Sequence, residues 1–414
     1  PMRAIGRISY SWYLWHWPVL VLAPHLLGHP LGLAARLAAA LLSAALAMLT
    51  LRLIENPLRF ATPIRRSAKA SLALGAGVTA VAVAVGQVLL GVVPVPVGHG
   101  PAAMPITITA APQPAGSSID AYDAVVRHTF AQAQAAVAAA VDVNIVPSNL
   151  DPPLTGMGVA SKAFMDSGCM LAITEAIQPE CASGDTASTT TVALIGDSQA
   201  AMWFPAFREA AEQRHWRLET LSKGACPVLD LHGANPFRRL IESFQHCEQW
   251  RAHIMDRLAA ERPKLVVVSV FRGYGSDEKM TGFNSYDPTW IDGVSRLVRD
   301  LRNAGAKVLV LGPIPDPRVS VPFCLSANLE DATACELRKS TAVNEAGIAA
   351  ESTATKASGG HYADLTDLFC TTDRCPVIVG NTLVFPDGGH VSFEYARLMS
   401  PVMGALADRA LAET

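Results

Sequence analysis

The sequence predicts an α/β domain, a mostly parallel sheet flanked by helices, preceded by transmembrane helices. Three observations carry this reading. Long apolar stretches crowd the first hundred residues of a 414-residue chain. Short apolar, β-rich runs alternate with helical ones after Thr190. All 8 cysteines lie after Gly168. The composition agrees: the chain is 50% hydrophobic and 17% charged, too apolar for an ordinary soluble protein and too polar for a purely membrane-embedded one. A formal net charge of −3 argues against a nucleic-acid surface.

The apolar stretches run from about Ile8 to Leu27, Leu31 to Leu53 and Leu72 to Val93. Each is close to the ~20 residues a helix needs to cross ~30 Å of hydrocarbon. The first carries Tyr10, Trp12, Tyr13, Trp15 and Trp17, an aromatic belt suited to a membrane interface. Arg59, Arg65, Arg66 and Lys69 separate the second stretch from the third, whereas His25 and His29, with no Lys or Arg, separate the first from the second. Basic loops stay in the cytoplasm, so everything after Val93 is expected outside, and Arg3 and Arg7 agree. The third stretch is too long for a signal peptide, and no charged segment opens the chain before it. The start on Pro1 suggests that an upstream part exists.

Pro, Ala, Ser and Thr dominate from Pro94 to about Pro153. Val93-Pro94-Val95-Pro96 and Ala111-Pro112-Gln113-Pro114 read as extended linker, and Ser118 to Val143 as one packed Ala-rich helix, with Tyr122, Val126 and Phe130 on one side, within a tether. The expected organisation is therefore 1–95 membrane helices, 96–160 linker with one helix, and 161–414 the α/β domain. Within that domain Val192–Ile195, Leu265–Val270 and Lys307–Leu311 read as buried strands, with His361–Leu365 as a fourth. Ala200–Gln213, a segment closing at Ser295–Asn303, and Phe393–Leu411 read as helices. Such alternation implies a parallel sheet covered on both faces.

Cysteines confined to the segment expected outside suggest disulfides in an oxidising compartment. Cys169, Cys181, Cys226, Cys247, Cys324, Cys335, Cys370 and Cys375 fall as four close neighbours, and local pairing is the simplest reading. A zinc site or free thiols are the alternatives; no C-x-x-C knuckle of the zinc type occurs, and no metal site is expected.

Two short motifs carry chemistry. In Ile195-Gly196-Asp197-Ser198 a strand ends, a glycine permits a turn, and Ser198 stands where a helix begins. A serine there lies at the carboxyl edge of the sheet, where α/β sites form, and the helix N-terminus offers N–H groups to an oxyanion. Alone, Ser198 reads equally well as an N-cap. In Phe385-Pro386-Asp387-Gly388-Gly389-His390-Val391-Ser392 an Asp and a His stand three apart before the last helix. His390 could serve Ser198 as general base and Asp387 could fix its tautomer; alone, they read as loop and turn residues.

Together, GDS early and D-x-x-H late in one α/β domain resemble the SGNH (GDSL-like) hydrolases, which implies a flavodoxin-like sheet and a Ser198–His390–Asp387 triad. The resemblance implies an oxyanion hole that includes Ser198 and Gly224 of Lys223-Gly224-Ala225-Cys226-Pro227, although Gly224 also reads as a turn glycine. The family's G-x-N block is missing: Ser269-Val270-Phe271-Arg272-Gly273 has no Asn, so either Arg272 donates instead or the hole rests on backbone N–H groups alone. The first segments, Ile8 to Val19 around His16 and Ile54-Glu55-Asn56-Pro57-Leu58-Arg59, resemble the closing helices of the acyltransferase-3 membrane family. Many bacterial members of that family carry an extra helix and then an SGNH domain outside the membrane. In such fusions GDS is often followed by His; here Gln199 stands there. His16 reads as an interfacial belt residue.

The resemblance implies a cell-membrane, multi-pass O-acyltransferase with its C-terminal domain on the periplasmic side. Its expected partners are the lipid bilayer and a cell-surface glycan or glycolipid acceptor, with no nucleic acid. No cofactor is expected bound, the acyl donor of the full-length protein being acetyl-CoA. The alternatives are an SGNH esterase that deacylates surface glycans or lipids, and a glycan-binding module with a spent site.

Overall fold

The computed structural model describes residues 2–27, 31–110, 118–156, 158–231, 241–274 and 284–412. The chain forms two units, Pro1–Pro94 and Val95–Thr414. The linker run Ala111–Pro114 and His29 lie outside the described residues.

The first unit is helical. Helix α1 spans Met2–Leu27, α2 spans Leu33–Thr50 and α3 spans Ala68–Val92. After Thr50 the chain continues through a π-helical turn, Leu51–Glu55, into Asn56–Phe60. Two helical runs among the described residues are long and apolar enough to cross a membrane, Leu33–Phe60 and Ala68–Val92. Helix α1, the first expected span, has the length but not the apolar composition: serines, His16 and two prolines interrupt it. Helix α3 is apolar all round and has no buried residue, a pattern that suits a lipid surround. Polar bonds join α1 to the next run: Ser11 Oγ donates to Glu55 Oε2 (2.8 Å), Trp12 Nε1 to Ser43 Oγ (2.9 Å) and Trp15 Nε1 to Thr50 Oγ1 (2.9 Å). In an apolar medium such bonds hold helices in register.

The second unit opens with the segment expected to be a tether carrying one packed helix, and the helix is there and packed. Helix α4, Ile119–Ala140, buries Thr129, Ala133, Val137 and Ala140. These positions, three or four apart, form one face of a helix. That face joins the core that contains Val192, Leu194 and Trp203. The compact unit runs from Val95, with α4 covering apolar surface of the α/β layers.

Among the described residues, seven strands form the main sheet: β1 (Met170–Leu171), β2 (Ala182–Gly184), β3 (Thr191–Gly196), β4 (Arg217–Lys223), β5 (Leu265–Ser269), β6 (Lys307–Leu311) and β7 (His361–Ala363). Their order is β1-β4-β3-β5-β6-β7, all parallel, with β2 antiparallel on β4. The five main strands thus follow the flavodoxin-like order, which reverses beside β3. In β3, Val192 and Leu194 face one core and Ala193 and Ile195 the other. Burial on both faces explains why the strand is an unbroken apolar run.

The helices around the sheet and the site include α5 (Ser198–Arg214), α6 (Ile241–Glu261), α7 (Pro288–Asn303), α8 (Glu345–Ala357), α9 (Phe393–Leu398) and α10 (Ser400–Ala412). The last expected helix is in fact two, α9 and α10, separated at Met399. Four disulfides staple the unit: Cys169–Cys181, Cys226–Cys247, Cys324–Cys335 and Cys370–Cys375. These are the local pairs expected from spacing.

Candidate active site

The site is built where β3 ends. Gly196 has φ of 148°, and a Cβ there would lie 1.8 Å from the Ser269 carbonyl, so only glycine fits. The next residue, Asp197, is the N-cap of α5, its side chain accepting from Gln199 N at 2.9 Å. Ser198 is therefore the first helical residue and not the cap.

Asp197 is fully buried. Its second oxygen accepts from the Phe271 amide (2.8 Å) and the Tyr274 hydroxyl (2.7 Å). Burial pushes its carboxyl above the ordinary range, opposed by those hydrogen bonds. The group ties the turn after β3 to the loop after β5, and so fixes the angle at which Ser198 leaves the sheet. The GDS motif contains Asp197, but nothing in the sequence marks Tyr274 as its partner.

His390 arrives from the far end of the chain. Its Nε2 lies 2.8 Å from Ser198 Oγ, and its Nδ1 lies 2.8 Å from Asp387 Oδ2. The other oxygen of Asp387 accepts from the amides of Gly389 (2.7 Å) and His390 (2.9 Å). One carboxylate thus folds the loop and orients the ring. Burial opposes charge on His390, but the hydrogen bond and charge of Asp387 outweigh it, and the imidazole titrates above its ordinary value. For Asp387, burial acts upward, yet the bond and charge of His390 and the two amides bring it below the ordinary carboxylate value. With Asp387 ionised, Nδ1 carries the proton and Nε2 accepts from the serine hydroxyl. This is the geometry of a nucleophile, a general base and an orienting carboxylate.

Gly224 and Arg272 are not free to serve as expected. Gly196 pairs with Ser222 across β3 and β4, so Gly224 does lie along the same sheet edge as Ser198. However, its N–H donates to the Leu171 carbonyl at 2.8 Å. The next residue, Ala225, adopts φ of 54°, and among the described residues its amide and that of Ser198 have no partner. Arg272 turns inward: Nη2 donates to Glu351 Oε2 (2.9 Å) and the Leu311 carbonyl (2.8 Å), Nε to Glu351 Oε1 (3.3 Å), and Nη1 to the Val270 carbonyl. Trp290 Nε1 and the Tyr362 hydroxyl complete the shell of Glu351, each at 2.9 Å. A guanidinium locked into a buried pair with Glu351 braces the loop after β5.

A cleft of 480 Å³ opens beside the triad. Gln199 and Gly389, the chain neighbours of Ser198 and His390, line it, together with Phe271, Arg272, Tyr286, Asp316 and Asn344.

The family described as "SGNH domain (fused to AT3 domains)" matches residues 168–405. The chain belongs to this family. Its SGNH domain lies wholly within the second unit. No curated protein matches the chain. Among solved structures, the chain is similar to the periplasmic domain of a lipopolysaccharide acetyltransferase of Salmonella ser. Paratyphi A, at 16% identity over 57% of this chain and 85% of that one, with a TM-score of 0.41. It is also similar to a protein of Slackia heliotrinireducens assigned as an SGNH hydrolase, at 15% identity over 52% of this chain and 98% of that one, with a TM-score of 0.30. At such scores neither likeness bears on what this SGNH domain does.

Proposed function

We propose that the SGNH domain transfers an acyl group, most simply acetyl, to a hydroxyl of a cell-surface glycan or glycolipid. The carrying observation is the continuous Ser198–His390–Asp387 hydrogen-bond chain in a family whose members are fused to membrane acyltransferase domains. Ser198 Oγ attacks the acyl carbonyl while its proton passes to His390 Nε2. The tetrahedral oxyanion accepts from the free amides of Ser198 and Ala225, the role first expected of Gly224 and Arg272. The leaving group departs with the proton from His390, and the acyl group remains on Ser198. The acceptor hydroxyl, seated in the cleft, then gives its proton to His390 and attacks the acyl-serine. A new ester forms and Ser198 is regenerated. Acetyl-CoA is the proposed source of the group in the full-length protein, relayed through the membrane. Four disulfides and two apolar helical runs support placing the domain on the extracytoplasmic side of a bilayer.

Surface-glycan ester content in cells producing the Ser198→Ala protein tests the proposal. A transferase predicts a fall in ester content with normal membrane insertion. A rise indicates an esterase, in which water takes the acceptor's place, and overturns the transfer reading.

A further inference from the structure

The triad's halves belong to segments 192 residues apart: Ser198 sits on α5, and His390 sits on a loop that Asp387 folds by itself. Something must hold that loop at hydrogen-bonding distance from the helix. We propose that Gln199 is a positioning residue that docks the His390 loop onto the nucleophile's helix through its side-chain amide. Gln199 Nε2 donates to the Gly389 carbonyl at 2.7 Å, and Gln199 N donates to Asp197 Oδ1 at 2.9 Å. One residue is thereby bonded both to the N-cap beside Ser198 and to the peptide just before His390. The residue as a whole is buried, 3% exposed, at the wall of the cleft. Besides the His390–Ser198 bond itself, the loop meets α5 among the described residues through the weak Val391 N–H to Met202 Sδ bond at 3.3 Å.

The requirement is chemical and narrow. The Gly389 carbonyl needs an N–H donor at a reach of several bonds from the α5 backbone. A glutamine supplies one, and so does a histidine ring. A methionine has the same reach and no donor. A glutamate turns an acceptor toward an acceptor. Because Asp387 holds His390 within its own loop, losing the dock leaves the imidazole oriented on its carboxylate but no longer in reach of Ser198. A displacement near 1 Å in such a site costs on the order of a hundredfold in rate.

The inference rests on Ser198 and His390 acting as nucleophile and base, and the test separates the two ideas. The full-length protein and its Ser198→Ala, Gln199→Met, Gln199→Glu and Gln199→His variants are assayed for p-nitrophenyl acetate hydrolysis, for the rate of covalent labelling by a fluorophosphonate, and for melting temperature. Gln199→Met should lose at least tenfold in kcat and in labelling rate, Gln199→Glu more, and Gln199→His should recover most of both. The order should hold among variants that melt alike, which a merely structural role would not produce. If Gln199→Met labels and turns over within twofold of the parent, or if Gln199→His is no better than Gln199→Met, the docking role is overturned while the triad stands. Should Gln199→Met not fold, the ranking of Gln199→His above Gln199→Glu decides, and equal rates for that pair overturn the proposal. Retained hydrolysis in Ser198→Ala removes the triad reading itself.

Discussion

Replacing Glu351 with leucine tests whether Arg272 braces the fold or serves the reaction. Glu351 is fully buried, and Arg272 has only 5% of its side chain exposed. Removing the carboxylate strands a guanidinium in the interior, which costs about 3–5 kcal/mol. It also unpairs Trp290 Nε1 and the Tyr362 hydroxyl, each worth on the order of 1 kcal/mol. The melting temperature should fall by roughly 10 °C or more. The double variant Arg272→Met/Glu351→Leu removes both charges and fills the space with apolar atoms. Such exchanges are often neutral, so most of the lost stability should return. The decisive measurement is kcat for a short-chain nitrophenyl ester in that double variant. A brace predicts activity within a few-fold of the parent once the fold is restored. An oxyanion donor predicts a loss of roughly 10²–10³-fold despite recovered stability. Restored melting together with a hundredfold loss of kcat would refute the assignment of Arg272 to the core.

Three further outcomes follow from the site and the core. His390 must be neutral to accept the serine proton, and Asp387 raises it above the ordinary 6.5. kcat/KM should therefore climb with pH to a midpoint above that value, and Asp387→Asn should lower both the rate and the midpoint; an unmoved midpoint counts against the pairing. The Cys226→Ser/Cys247→Ser protein loses a link closing a sequence separation of 21, worth about 3 kcal/mol by chain entropy; a reduced melting temperature and slower ester hydrolysis are expected, since the loop carries the Ala225 amide, and unchanged values in both would separate the disulfide from the site. A chain starting at Val95 should be soluble and cooperatively folded, whereas one starting at residue 161 lacks α4 and should aggregate or melt far lower; equal melting curves would return α4 to the status of a tether.

Periodicity and motif chemistry were legible in the sequence. An apolar run such as Val192–Ile195 has few alternatives to a strand buried on both faces, and a glycine before Asp-Ser marks the turn that presents a nucleophile. Cysteines close in sequence pair locally because short loops keep them close in space, and so the four disulfides could be read off their spacing. Asp387 and His390 were legible as a pair because three residues of turn bring them together without help from the rest of the chain. What the sequence could not decide were contacts between distant segments. Gly224 looked like an amide donor until its N–H met the Leu171 carbonyl, a partner set by the pairing of β1 with β4. Arg272 looked like a replacement for a missing Asn until Glu351, 79 residues away, took its guanidinium. Helix α4 was legible as a packed helix, but which core it covers is decided only by the fold. Gln199 stood out in the sequence only as the residue in place of the His common after GDS in such fusions; its partner, the Gly389 carbonyl, is chosen by the fold. Local geometry is written in neighbouring residues, whereas the destination of each buried N–H, carbonyl and charge depends on which segments the packed core brings into contact.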